Sequence, residues 1–129
     1  MSELANVLKL RVILQVTPWL IMRARKRSPR IGELLNAGSF VMQISTRRGA
    51  GGHFLLCDGR LRFRAGSHPA PDLAQTWITA GNAVSTLSSR DETELLRAID
   101  QGQCSLKGDF LVALWFNEAI KLARNPTPG

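Results

Sequence analysis

The chain has 129 residues, 44% of them apolar and 21% charged, a composition that excludes disordered, collagen-like and disulfide-scaffold polypeptides and suffices for one buried core. The net charge of +7 is uneven: residues 1–64 carry 12 Lys/Arg against three acids, and residues 65–129 carry five against seven. A basic half of this kind points to an anionic neighbour, such as a phospholipid surface, an acidic partner or nucleic acid, with a merely solvated basic face as the plain alternative.

Residues 3–27 read as a helix, with Ser2 as N-cap and apolar positions Leu4, Val7, Leu8, Leu10, Ile13, Leu14 and Val16 at helical spacing. Pro18 is expected to break or kink it, because proline lacks the N–H and clashes with the preceding turn. Lys9 and Arg11 interrupt the apolar run, so neither a membrane span nor a signal peptide is expected. The cluster Arg23, Arg25, Lys26, Arg27 and Arg30 follows Trp19. It makes residues 1–37 a basic amphipathic helix and hinge, suited to peripheral membrane contact, to homodimerisation or to docking on the core.

Ile31 to Gly38 reads as a short helix ending at that glycine. From Phe40 the period changes to two, so that Phe40, Met42 and Ile44 share one face of a strand. His53–Cys57, Asp58-Gly59 and Arg60–Ala65 predict a hairpin with a type I′ turn. Counting outward pairs Leu56 with Leu61 and Phe54 with Phe63 on the core face, and sends Arg60, Arg62 and Arg64 to the other. Leu73–Thr79 is a fourth strand containing Trp77, and Ala80–Leu87 is a helix. Ser89-Arg90-Asp91-Glu92 has capping-box spacing before a helix bearing Leu95, Leu96 and Ile99 and closed by Gly102. Cys104–Lys107 is a fifth strand. The final helix, from Phe110 to Arg124, is apolar nearly all round in its first half, so burial on every side is expected. The last five residues read as a frayed tail. The architecture is α+β, a mostly antiparallel sheet covered on one face by helices.

Catalytic chemistry is not visible. His53 and His68 form no local ligand pair, and Cys57 and Cys104 make no Cys-x-x-Cys motif, so no metal site and no catalytic residue is predicted. Both cysteines are expected to be reduced and embedded in strands, Cys57 as a buried structural thiol. Gly49-Ala50-Gly51-Gly52 precedes a strand rather than opening a helix, which removes a phosphate-loop reading, and no cofactor is implied. The arginine face lacks interleaved aromatics, so nucleic acid is a minor reading.

One order of short motifs is informative: Cys57-Asp58-Gly59-Arg60-Leu61, Gly66, Pro71-Asp72, Ala98 to Gly102, and Leu106-Lys107-Gly108-Asp109. It resembles the sterol carrier protein 2 family over about residues 38–123. The resemblance implies a five-stranded sheet and an apolar tunnel between sheet and helices. It also implies non-catalytic binding or transfer of an acyl chain, a sterol or a phospholipid by a sterol-carrier-like domain spanning residues 38–124. On this reading the sheet contributes Phe40, Met42, Ile44, Phe54, Leu56, Leu61, Phe63 and Trp77 to the ligand site. Leu95 and Ile99 come from the penultimate helix, and Phe110, Leu111, Leu114, Trp115 and Phe116 from the last. A cytoplasmic, peripherally membrane-associated carrier follows as the expectation. An interaction or dimerisation module with a closed core is the alternative, and nucleic-acid binding a more distant one.

Overall fold

A computed structural model describes residues 3–89, 91 and 93–124. The elements run α1 (Glu3–Ala24), α2 (Pro29–Leu35), β1 (Phe40–Thr46), β2 (Gly51–Cys57), β3 (Arg60–Ala65) and β4 (Leu73–Trp77). They continue with α3 (Ala80–Leu87), α4 (Glu94–Asp100), β5 (Cys104–Gly108) and α5 (Phe110–Arg124). The expected N-cap Ser2, the Arg90 and Glu92 positions of the capping box, and the tail at 125–129 lie outside the described residues.

The strands form one sheet in the order β3-β2-β1-β4-β5. The Asp-Gly hairpin has the register its alternation dictates: Phe54 faces Phe63, Leu56 faces Leu61 and Cys57 faces Arg60. Asp58 and Gly59 both take positive φ, 53° and 75°, as a type I′ turn requires. β4 lies parallel to β1, with Ile44 opposite Gln75, and β5 runs antiparallel to β4. The sheet is thus mixed, with one parallel pair among four.

One face of the sheet is the core side. Met42, Ile44, Phe54, Leu56, Leu61, Leu73 and Trp77 are buried there beneath the helices. Arg60, Arg62 and Arg64 are exposed on the other side. α1 belongs to this same core: Leu10, Leu14, Ile21 and Ala24 are each 1% exposed and cluster with the sheet residues. By length and composition α1 also meets the requirement for crossing a membrane, but in the folded chain this inner face is covered by protein.

Pro18 does not break the helix, contrary to the expectation. α1 is continuous through it, with Pro18 buried and the preceding Thr17 hydroxyl donating to the Ile13 carbonyl at 2.7 Å. A 22-residue helix anchored in the core on both sides of the proline tolerates one missing backbone bond. The second helix stops at Leu35, short of Gly38, because Asn36 caps it: its backbone N–H and its side-chain amide both bond to the Gly32 carbonyl, at 3.2 and 2.9 Å.

The Leu-Lys-Gly-Asp motif acquires a physical basis at the β5–α5 junction. Asp72 opens β4 and holds two elements at once, its carboxylate accepting from the Val41 N–H at 2.7 Å and its carbonyl from the Asp109 N–H at 2.8 Å. Gly108 lies against that carbonyl with φ +122°, and a Cβ there would run into the Asp72 backbone oxygen. Asp109 then accepts from the Leu111 N–H at 3.0 Å at the start of α5. Gly108→Ala is expected to cost at least the ~1–3 kcal/mol of a strained backbone position, read as a lowered urea midpoint. An unchanged midpoint would show that the close approach is not needed.

Candidate functional site

Between the sheet and the helices lies a cavity of about 340 Å³. Its sheet wall consists of Met42, Ile44, Phe54 and Gln75, and α5 contributes Ala113, Phe116, Asn117, Ile120, Lys121, Ala123 and Arg124. α1 supplies Ile13, Leu14, Thr17, Leu20 and Ile21, while Thr86, Leu87 and Leu95 close the side formed by α3 and α4. Exposed lining residues Leu20, Asp91, Asn117, Lys121 and Arg124 mark the mouth. The space is therefore apolar inside and charged at its opening, the usual chemistry of an amphiphile site.

Both sides of the mouth are held in place. The Arg124 guanidinium donates to the Leu87 and Ser89 carbonyls, each at 2.8 Å, where the C-terminal end of α3 favours a cation. The Thr93 hydroxyl and amide donate to the Asp91 carboxylate at 2.7 and 2.9 Å, and these bonds hold Asp91 below the usual carboxylate range. Asp91 is consequently ionised at neutral pH, and it lines the same space as Lys121 and Arg124.

An aromatic cluster defines how far the cavity extends. Phe116 packs on Phe54 at 4.9 Å and on Trp115 at 5.1 Å, and Phe40 meets Trp115 at 5.0 Å. The Trp115 indole donates to the Leu34 carbonyl at 2.8 Å, fastening α5 to α2. Phe116 is thus a wall of the cavity, whereas Phe40 and Trp115 fill the space beyond it.

Of the sequence-predicted ligand residues, Met42, Ile44, Phe54, Leu95 and Phe116 line this cavity. Leu56, Leu61 and Trp77 are buried in the core, and Phe40, Phe63, Ile99 and Trp115 pack against it without lining the space. The last helix is not buried all round. Phe110, Leu111 and Leu114 are 47%, 69% and 50% exposed, so they lie away from the cavity. A continuous apolar run carries no period, and of α5 only Val112, Ala113, Phe116 and Ala119 are buried.

Docking of α1 on the core was among the expectations, but its lining of the cavity was not, because its apolar residues occupy two faces. Leu10, Leu14 and Ile21 face the core, and Leu4, Leu8, Val12, Trp19 and Leu20 form an exposed stripe along the other side. Arg23 lies over the Trp19 ring at 5.1 Å, and Arg23, Arg25, Lys26, Arg27 and Arg30 are all exposed.

No cluster of three His, Cys, Asp or Glu suited to a metal occurs among the described residues, and no His or Cys lines the cavity. The cysteines are free but not alike. Cys57 is exposed on the arginine side of the hairpin, which corrects its reading as a buried thiol, whereas Cys104 is buried and its thiol is pushed up to about 12 by desolvation. At pH 8 only on the order of one Cys104 in ten thousand is then thiolate. Iodoacetamide is expected to modify Cys57 in the native protein and Cys104 only after denaturation. Equal labelling by mass spectrometry would contradict that difference.

No protein-family model and no curated protein matches the chain. Among solved structures, the chain is similar to a UbiJ-SCP2 ubiquinone synthesis protein, at 16% identity over 91% of this chain and 96% of that one, with a TM-score of 0.66. The apo form of sterol carrier protein 2 from Yarrowia lipolytica gives 15% identity, 88% of each chain and a TM-score of 0.49. Palmitated SCP2L2 from Aedes aegypti gives 19% identity, 71% of this chain, 88% of that one and a TM-score of 0.44. On the first likeness the chain has the fold of an SCP2-like domain.

Proposed function

We propose that this domain binds one apolar chain of a lipid in the cavity, without catalysis, and carries it to or from a membrane surface. The observation that carries this reading is the apolar space with charged residues at its mouth. At about 340 Å³ it lies at the low end of ~300–1,000 Å³ ligand pockets, a size suited to a single-chain ligand. Each CH₂ taken from water contributes ~0.8 kcal/mol, so burial alone supplies useful affinity, and the charged mouth suits a polar headgroup.

Membrane contact is assigned to α1. Leu20 lines the cavity and also belongs to the exposed stripe with Leu8, Val12 and Trp19, so the mouth opens beside the most apolar surface of the helix. Trp19 and the arginines that follow it have the chemistry of an interfacial anchor. On this proposal the protein works as a cytoplasmic, peripherally bound carrier.

Native mass spectrometry tests the reading, before and after organic extraction and again after addition of stearate. One stearate per extracted chain is expected, and no uptake would reject the carrier. Sedimentation with vesicles containing anionic phospholipid tests α1. Trp19→Ala combined with Leu8→Ala is expected to lower the bound fraction at least fivefold, the loss of two half-buried side chains. A variant that binds vesicles normally but loses a dimer would assign the stripe to self-association.

A further inference from the structure

The cavity has one polar residue in its sheet wall. Gln75 is 2% exposed and sits mid-strand between Leu73 and Trp77 on the inward face of β4. The orientation of its amide is fixed by chemistry. The Trp77 indole N–H can only donate, and it reaches the Gln75 Oε1 at 2.7 Å, which leaves the Nε2 as the opposite arm of the amide.

That Nε2 has no hydrogen-bond acceptor among the described residues, and no sealed side-chain N or O lacks a partner. The nitrogen is therefore open to the cavity that Gln75 lines. The two other buried polar side chains are occupied elsewhere: the His53 Nδ1 pairs with the Gly66 carbonyl at 2.8 Å, and the Thr46 hydroxyl accepts from the Ala50 N–H at 3.2 Å.

A donor that faces an apolar cavity without a protein acceptor favours a ligand that supplies one. On the sheet wall the Gln75 neighbours Met42, Ile44 and Phe54 carry no polar side chain, so a water there would have few of the about two to four polar partners it needs. A ligand hydroxyl would accept from the amide but bring a proton that needs an acceptor of its own. A carbonyl oxygen accepts and leaves nothing over.

We propose that Gln75 makes the site selective for lipids with a carbonyl within their apolar body, over plain hydrocarbon chains of equal length. This rests on the carrier reading and deepens it. In the bound state the ligand oxygen accepts from the Gln75 Nε2 while the Gln75 Oε1 keeps the Trp77 indole.

The test is calorimetric titration of the extracted protein with stearate, with a series of oxo-octadecanoic acids carrying the ketone at successive positions, and with the matching hydroxy acids. One ketone position is expected to bind about fivefold tighter than stearate, and its hydroxy counterpart not to share the gain. Gln75→Leu should bring the ratio of ketone-acid to stearate affinity down to about one. If stearate binds and no ketone position is preferred, or the preference survives in Gln75→Leu, the role of Gln75 is overturned and the carrier stands. If neither stearate nor any ketone acid binds, both fail. Should Gln75→Leu not fold, the wild-type protein still decides the matter. The ketone infrared band should move to lower wavenumber on binding, and the Gln75 side-chain amide protons should shift; unmoved signals would overturn the proposal.

Discussion

Ala113→Phe is expected to abolish saturable stearate binding while leaving the protein folded. Ala113 is 5% exposed and faces the cavity from α5, across from Ile44 and Phe54 in the sheet wall. Extra side-chain volume in a packed core costs typically 1–3 kcal/mol, but here it enters existing space and buries new apolar area, which offsets that cost. A chain that loses several CH₂ contacts at ~0.8 kcal/mol each drops in affinity by more than a hundredfold. A melting temperature close to wild type with binding lost is the expected pair of readings. Retained binding would place the lipid somewhere else.

Trp77→Ala is expected to have the largest effect on stability. Trp77 is fully buried on β4, adjoining both β1 and β5, and its truncation leaves a cavity worth about 3–5 kcal/mol. The same change strips the Gln75 Oε1 of its donor. Against a total of ~5–15 kcal/mol for a domain, much of the folded margin is removed. Trp77→Phe keeps most of the apolar area and loses only the hydrogen bond, so its urea midpoint should fall between the two. Equal midpoints for the alanine and phenylalanine variants would show that packing at this position is not limiting.

What could be read from the sequence follows from how local each signal was. Asp58-Gly59 and the alternation beside it specify turn, register and face within a dozen residues, and the hairpin forms with Phe54 opposite Phe63. The parallel pairing of β1 with β4 has no such marker, because it joins Met42 to Leu73 across the intervening hairpin. Pro18 carried a strong breaking signal that the buried face of α1 overrode. In α5 the unbroken run from Phe110 to Phe116 hid which residues point outward.

The cavity itself was half legible. Met42, Ile44 and Phe54 lay on strand faces that periodicity could assign and Phe116 came with the family resemblance, while Ile13, Leu20 and Ile21 belonged to a helix with apolar residues on two sides. Gln75 did leave a trace: with Leu73 and Trp77 two positions away on either side, strand alternation puts a polar amide among core residues.

The central claim is that a lipid chain occupies the space between sheet and helices, and contacts from a ¹³C-labelled stearate in solution test it most directly. Nuclear Overhauser contacts from the labelled chain should reach the methyl groups of Ile13, Ile44, Ala113 and Ile120, all of which line the cavity. Contacts confined to Leu111 and Leu114, or to Leu4, Leu8 and Val12 on the exposed face of α1, would contradict it.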